Sequence, residues 1–154
     1  MEAIEKEGVL LFPGRIIMNY SHAAGIAGSR FLVELRDNKR ILAIRCNVCN
    51  KVYMPPRLTC KTCFTNMSEW VELDGKGTLL TYTTVHYDEP VLGREAPVVY
   101  GVMKLDGADT GFVHFINEVG PEELRIGLRV EPVFRKERSG SILDIKYFRP
   151  IKGS

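Results

Sequence analysis

The feature that most restricts this chain is the placement of its cysteines. There are four, all in one window: Cys46-Asn47-Val48-Cys49, ten further residues, and Cys60-Lys61-Thr62-Cys63. A C-x2-C turn aims two thiolates at one point, and two such turns supply a tetrahedral sulfur shell with metal–sulfur bonds of about 2.3 Å. The competing use of the same residues is two disulfides, which a reducing compartment disfavours. Zinc is therefore the expected occupant, with iron as the alternative. Four sulfurs close the shell, and no His, Asp or Glu lies between Cys46 and Cys63 to serve as a labile ligand. The expected metal is structural. Eighteen residues from Cys46 to Cys63 cannot bury a core of their own. Metal binding, worth about 10–16 kcal/mol in small zinc peptides, is what should fold them. Asn50, after the first pair, tolerates the left-handed backbone such turns favour, whereas Phe64, after the second, tolerates it poorly.

Before this window the periodic signal is thin. Residues 1–28 read as an arm: an apolar strip at Val9 to Phe12, a Pro13-Gly14 turn, then Ile16, Ile17, Met18 and Tyr20, and a small, flexible stretch from Ser21. Ser29 is placed to cap a short helix over 30–37, with Phe31, Leu32 and Leu35 on one face and Asn38 closing it. Ile41 to Arg45 reads as a strand entering the first knuckle, and Val52-Tyr53-Met54 as its return, ended by Pro55-Pro56.

Behind the window the texture changes to short β-runs divided by Gly, Pro and Asp. Trp70 to Leu73 reads as a lead-in, followed by strands at 78–87, 98–105, 111–116, 128–136 and 142–148. Alternation puts Leu128, Val130 and Phe134 opposite Arg129, Glu131 and Arg135, and Leu143, Ile145 and Tyr147 opposite Asp144 and Lys146. Pro132 marks an edge or a bulge. Asp106-Gly107 and Ser139-Gly140 are hairpin turns, and Gly120 to Arg125 has room for one helical turn between the third and fourth strands. Five strands with that interruption predict an OB-type barrel. The expected chain is mainly β: an arm over 1–28, helix plus zinc ribbon over 29–68, a five-stranded OB-fold over 69–150 and a tail over 151–154.

Charge divides along the same boundary. Arg30 to Phe64 holds eight basic and two acidic residues, a net +6, and Thr65 to Ser154 holds eleven and fourteen, a net −3. Arg36, Lys39, Arg40, Arg45, Lys51, Arg57 and Lys61 could form one face for phosphates, or could simply keep a small metal module soluble. The whole chain, at +2, lacks the basic field of a general nucleic-acid coat. No apolar run approaches the roughly 20 residues needed to span a bilayer. The acidic N-terminus does not suit a secretory signal, so a cytoplasmic location is expected.

Several of these residues, taken together, resemble a family of acyl-CoA-associated proteins that join an N-terminal helix and a rubredoxin-like zinc ribbon to a C-terminal OB-fold. They are Phe31-x3-Leu35, Arg45-Cys46-x2-Cys49, Pro55-Pro56-Arg57, Cys60-x2-Cys63, Trp70, Gly75-Lys76-Gly77 leading into Thr81-Tyr82-Thr83, and Ile126-Gly127-Leu128-Arg129-Val130. The match runs from about Phe31 to Phe148. The glycine usual after each knuckle is replaced by Asn50 and Phe64, and Lys61 stands where the family often has proline.

The resemblance implies a non-catalytic partner of a CoA-handling enzyme, chiefly a thiolase or a thiolase-like aldolase or synthase. The residues agree on one point independently. With all four cysteines committed to metal, no thiol remains for acyl transfer. The expected role is an accessory subunit that docks on a thiolase-like enzyme and helps bind or channel a CoA thioester. Arg45, Lys51, Arg57 and Lys61 would meet its phosphates, and Trp70, beside the second knuckle, either packs ribbon on barrel or leans on the pantetheine arm. His22, His86 and His114 sit in no metal or nucleophile motif. Gly75-Lys76-Gly77 lacks the glycines and the strand-to-helix context of a phosphate loop and reads as a turn. The rival reading is a nucleic-acid-binding module with Tyr82, Tyr100, Phe112 and Phe115 as stacking rings. The −3 barrel half argues against it.

Overall fold

The computed structural model describes residues 4–12, 14, 17–88 and 95–151. Pro13 of the expected turn, Ile16 and the tail beyond Ile151 lie outside them. Strands β1 (Ile4–Lys6) and β2 (Val9–Leu11) form an antiparallel hairpin and, among the described residues, pair only with each other. Its apolar side chains, with Phe12, Ile17, Met18 and Tyr20, are exposed.

Helix α1 (Gly25–Asn38) starts a turn earlier than the Ser29 cap predicted. Ala24 is the N-cap and makes no side-chain bond; tertiary packing supplies what the cap does not, because Ala27, Phe31 and Leu35 recur every fourth residue and are buried. The helix closes at Lys39, left-handed with its N–H on the Glu34 carbonyl, and the Asn38 side chain donates instead to Glu34 at 2.9 Å.

Strand β3 (Ile41–Arg45) lies between β4 (Val52–Tyr53) and β5 (Glu69–Leu73) in an antiparallel sheet. The stretch read as a lead-in to the barrel is thus the third strand of the ribbon sheet. Five strands then close a barrel: β6 (Gly77–Val85), β7 (Val98–Leu105), β8 (Gly111–Ile116), β9 (Arg129–Phe134) and β10 (Ile145–Pro150). The order around it is β6-β7-β8-β10-β9 and back to β6, with β8 and β10 parallel and the other pairs antiparallel. The turn at Asp106-Gly107 joins β7 to β8 as expected, and one hydrogen-bonded turn over Gly120–Leu124 interrupts the passage from β8 to β9.

The last strand is shorter than its alternation implied. Ile142–Asp144 is a single 3-10 turn, which leaves Leu143 exposed and buries Asp144, the reverse of the expected facing. The reason is local hydrogen bonding. The Asp144 carboxylate accepts from the N–H groups of Ser139, Gly140 and Ser141 at 3.0, 2.8 and 3.2 Å. Burial alone would push this carboxyl up, but those three donors, with Arg138 nearby, hold it below the usual carboxylate range. Arg138 also donates to the Arg36 carbonyl at 2.6 Å, tying this loop to the end of α1.

One core runs through both halves. Phe31, Leu35, Ile41 and Leu42 pack with Leu79, Met103, Phe112 and Phe148, while Ile44, Tyr53, Met67, Cys46 and Cys60 form a second, smaller cluster. Four hydrogen bonds staple the β7–β8 turn to β4. Asp109 bonds Val52 through its N–H and its carboxylate, at 2.8 and 2.9 Å, and the Thr110 hydroxyl accepts from Met54 N–H at 2.8 Å and donates to Met54 C=O at 2.7 Å. At the β5–β6 turn, Gly75 is left-handed, and a Cβ there would stand 2.7 Å from Pro132 Cγ.

Candidate metal centre and its surroundings

The two knuckles are built alike. Asn50 N–H donates to the Cys46 carbonyl at 2.8 Å, and Phe64 N–H to the Cys60 carbonyl at 2.9 Å. Cys46 N–H then reaches Lys51 O and Cys60 N–H reaches Thr65 O, at 2.9 and 3.0 Å. Both turns close through a left-handed residue, Asn50 at φ 60° and Phe64 at φ 56°. The second choice is costly for a residue with a Cβ, by about 1–2 kcal/mol, and the Phe64 ring gains nothing from burial, being 81% exposed.

The folded turns bring Cys46, Cys49, Cys60 and Cys63 together, with every Sγ within 4.8 Å of the others. A tetrahedron of sulfurs at zinc-bond length has edges of about 3.8 Å, and Cys49 Sγ and Cys60 Sγ stand 3.7 Å apart. Cys46 and Cys60 are buried, and Cys49 and Cys63 half-buried. The donor set therefore fits a tetrahedral metal ion such as zinc, which these four residues would hold.

The thiols are tuned by their neighbours. The Tyr53 hydroxyl, buried in the smaller cluster, donates to Cys60 Sγ at 3.2 Å and, helped by backbone N–H groups, brings that thiol down to about 6. Backbone N–H groups of Cys49 and Val48 lower Cys46 as well. Cys63 moves the other way, to about 12, through its contact with the Cys49 sulfur, burial and the adjoining charges. Four crowded thiols cannot all ionise against one another, and a divalent cation at their centre removes the conflict.

Apart from Lys39, which closes α1, the basic residues of the expected face divide into two groups. Arg36 pairs with Asp37 at 2.8 Å, Arg40 with Glu72 at 2.6 Å and Arg45 with Glu69 at 3.1 Å. Lys51, Arg57 and Lys61 have no carboxylate at ion-pair distance among the described residues. Lys51 leans on the Thr62 hydroxyl at 3.4 Å, and Arg57 lies over the Tyr53 ring at 5.3 Å. These three therefore collect beside the second knuckle with their charge uncompensated. Trp70 is half-buried at the joint between the two clusters, and Arg30 of α1 stacks on its ring at 4.4 Å. The sequence carried no sign of that pair, because the two residues are forty positions apart.

Of the other candidates, His22 and His86 are exposed. His114 is buried among the rings of Phe112, Phe115 and Phe148. Phe112 and Phe115 are themselves buried and Tyr100 packs on Phe115 at 4.9 Å, whereas Tyr82, the fourth candidate stacking ring, is exposed. Among the described residues no helix is long and apolar enough to cross a membrane.

A four-cysteine ribbon seated on a closed five-stranded barrel defines a zinc-ribbon and OB-fold protein. A family model described as the ChsH2 C-terminal OB-fold domain matches residues 70–135. A DUF35 domain-containing scaffold protein of Methanothermobacter thermautotrophicus is 30% identical over 96 residues, covering 61% of this chain and 71% of the relative. A protein of the same description from Methanocaldococcus jannaschii is 29% identical over 124 residues, covering 77% of this chain and 87% of the relative. The chain belongs to the DUF35 family. Two solved structures share the fold. The Ltp2-ChsH2(DUF35) aldolase matches with a TM-score of 0.61 at 24% identity, over 79% of this chain and 93% of that one. A DUF35-family protein of unknown function from Sulfolobus solfataricus matches with 0.62 at 20% identity, over 82% and 87%.

Proposed function

We propose that this protein is a non-catalytic accessory subunit that docks on a thiolase-like, acyl-CoA-processing enzyme in the cytoplasm. The observation that carries the reading is the gathering of every cysteine into one sulfur cluster, which leaves no free thiol for acyl transfer. Relatives described as scaffold proteins, and a structural neighbour that is part of an aldolase, support the same role. Cys46, Cys49, Cys60 and Cys63 would hold one structural zinc. Lys51, Arg57 and Lys61, which pair with no carboxylate among the described residues, would meet the phosphates of a CoA thioester. Arg45 would have to leave Glu69 to join them. Trp70, already stacked by Arg30, would flank the pantetheine arm.

The test is reconstitution of the full chain with a thiolase-like subunit from the same source. A stable complex is expected, with CoA-thioester affinity at least several-fold above that of the enzyme subunit alone, and Lys51→Glu with Arg57→Glu should remove most of the gain. Absence of a complex, or thioester turnover by this chain in isolation, overturns the reading.

A further inference from the structure

The two knuckles close through the same left-handed turn with different residues. Asn50, at φ 60°, closes the first and adopts that conformation readily, while Phe64, at φ 56°, closes the second and does not. The backbone bond is the same in both, from the N–H of the closing residue to the carbonyl of the first cysteine, so the turn has no need of an aromatic ring. Packing does not call for one either. The Phe64 ring is exposed and belongs to neither hydrophobic cluster, so no apolar contact among the described residues offsets the strain. Every residue from 46 to 67 lies among the described ones.

The ring does not stand alone. Met67 N–H donates to the Leu58 carbonyl at 2.7 Å and Thr59 pairs with Asn66, which makes the second knuckle a narrow finger with Phe64 near its tip. Leu58 on this finger and Val48 in the first knuckle are exposed as well. Cys63, the residue before Phe64, belongs to the sulfur cluster that joins the two knuckles. Three exposed cations border the same module. Lys61 is in the tip, Lys51 crosses to the Thr62 hydroxyl at 3.4 Å, and Arg57 precedes Leu58. An exposed aromatic anchor bordered by cations that pair with no carboxylate among the described residues complements an apolar socket in an acidic surface.

We infer that Phe64 is the anchor through which this chain docks on its enzyme partner: the ring enters an apolar socket on the enzyme subunit, in a surface of net negative charge toward which the three cations steer it. The inference rests on the accessory-subunit reading and adds to it the face that makes the contact. Charge selects the enzyme over a second copy of this chain. A two-fold pairing of the tip with itself would set Lys51, Arg57 and Lys61 against their own equivalents, and like charges across an interface repel. The strain is then a feature of the free chain, held for a contact made only in the complex.

The test measures binding of the full zinc-loaded chain to the thiolase-like subunit from the same source, together with zinc content and thermal unfolding of the chain alone. Phe64→Gly and Phe64→Asn, the latter copying the first knuckle, should weaken the complex about tenfold or more, mostly through faster dissociation. Both should keep their zinc and unfold at a temperature no lower than the parent. Lower affinity with undiminished stability is what separates an anchor from a packing residue. Lys61→Glu should slow association several-fold at low salt and little at high salt. Undiminished binding by both Phe64 variants, or a loss of affinity that comes with lost zinc in both, overturns the assignment and leaves the accessory-subunit reading standing. Self-association of the isolated chain that either variant abolishes would give the ring to a second copy instead and overturn it too. If the parent chain forms no complex, the accessory-subunit reading falls, and this inference with it.

Discussion

The ribbon and the barrel solve the same problem with different means. The ribbon's own cluster holds Ile44, Tyr53 and Met67 beside the two buried cysteines, too little apolar surface to pin two irregular turns, and the sulfurs must do it. The barrel uses no cysteine and draws on Leu79, Met103, Leu105, Val130, Ile145 and Phe148, all fully buried. Strand β3 belongs to both, with Ile41, Leu42 and Ala43 in the larger core and Ile44 in the smaller. The difference teaches that a metal held by the four sulfurs would specify one local shape, while hydrophobic burial specifies the frame on which that shape sits.

The largest expected effect breaks the ribbon alone. Cys60→Ser, or removal of zinc by a strong chelator, forfeits a term of about 10–16 kcal/mol in isolated zinc peptides. Amide exchange should rise sharply over 46–63 while the β6–β10 amides keep most of their protection. A single transition that unfolds everything would show that the barrel leans on the metal. Phe148→Ala tests the other half. It should cost about 3–5 kcal/mol in denaturant unfolding and leave zinc content at one per chain. Thr110→Val severs the staple between the two, at about 1–3 kcal/mol, and should raise exchange at Met54 more than at the centre of β7.

Two smaller effects sharpen the contrast. Phe64→Gly relieves a left-handed phenylalanine whose ring packs against little, and should stabilise the isolated chain by about 1 kcal/mol. Thermal unfolding of the zinc-loaded protein reads the sign. The last concerns acid. Asp144 has its folded pKa held below the ordinary value near 4. Its stabilising contribution is therefore complete above that value and is lost as pH falls through the lower, folded one. Asp144→Asn should flatten the acid limb of the stability curve below about pH 4 and change little at neutral pH beyond a constant offset.

Much of this frame was legible before the structure. Spacing alone picked out the sulfur cluster, because a C-x2-C turn has few other geometries, and Gly, Pro and Asp punctuation located all five barrel strands to within a few residues. What misled was local. Ser29 looked like a helix cap, yet the buried face of Ala27, Phe31 and Leu35 carried the helix a turn further back. Alternation through 142–148 looked like strand, yet Asp144 found three backbone donors and turned the chain into a 3-10 turn. At the helix the burial of a repeating apolar face outweighed a local cap signal, and at the last strand side-chain hydrogen bonds outweighed the repeating pattern.

The amino-acid order by itself determined that four thiols would meet, that a β-barrel would follow them, and that no sulfur nucleophile would be left over. These are matters of spacing and composition, which act over a few residues. Tertiary structure alone decided which cations pair with carboxylates, that Arg30 covers Trp70, and that Thr110 fastens Met54 at the end of β4. Each of those depends on groups far apart in the chain arriving at one place, and their distance in space is set by packing, on which periodicity carries no information.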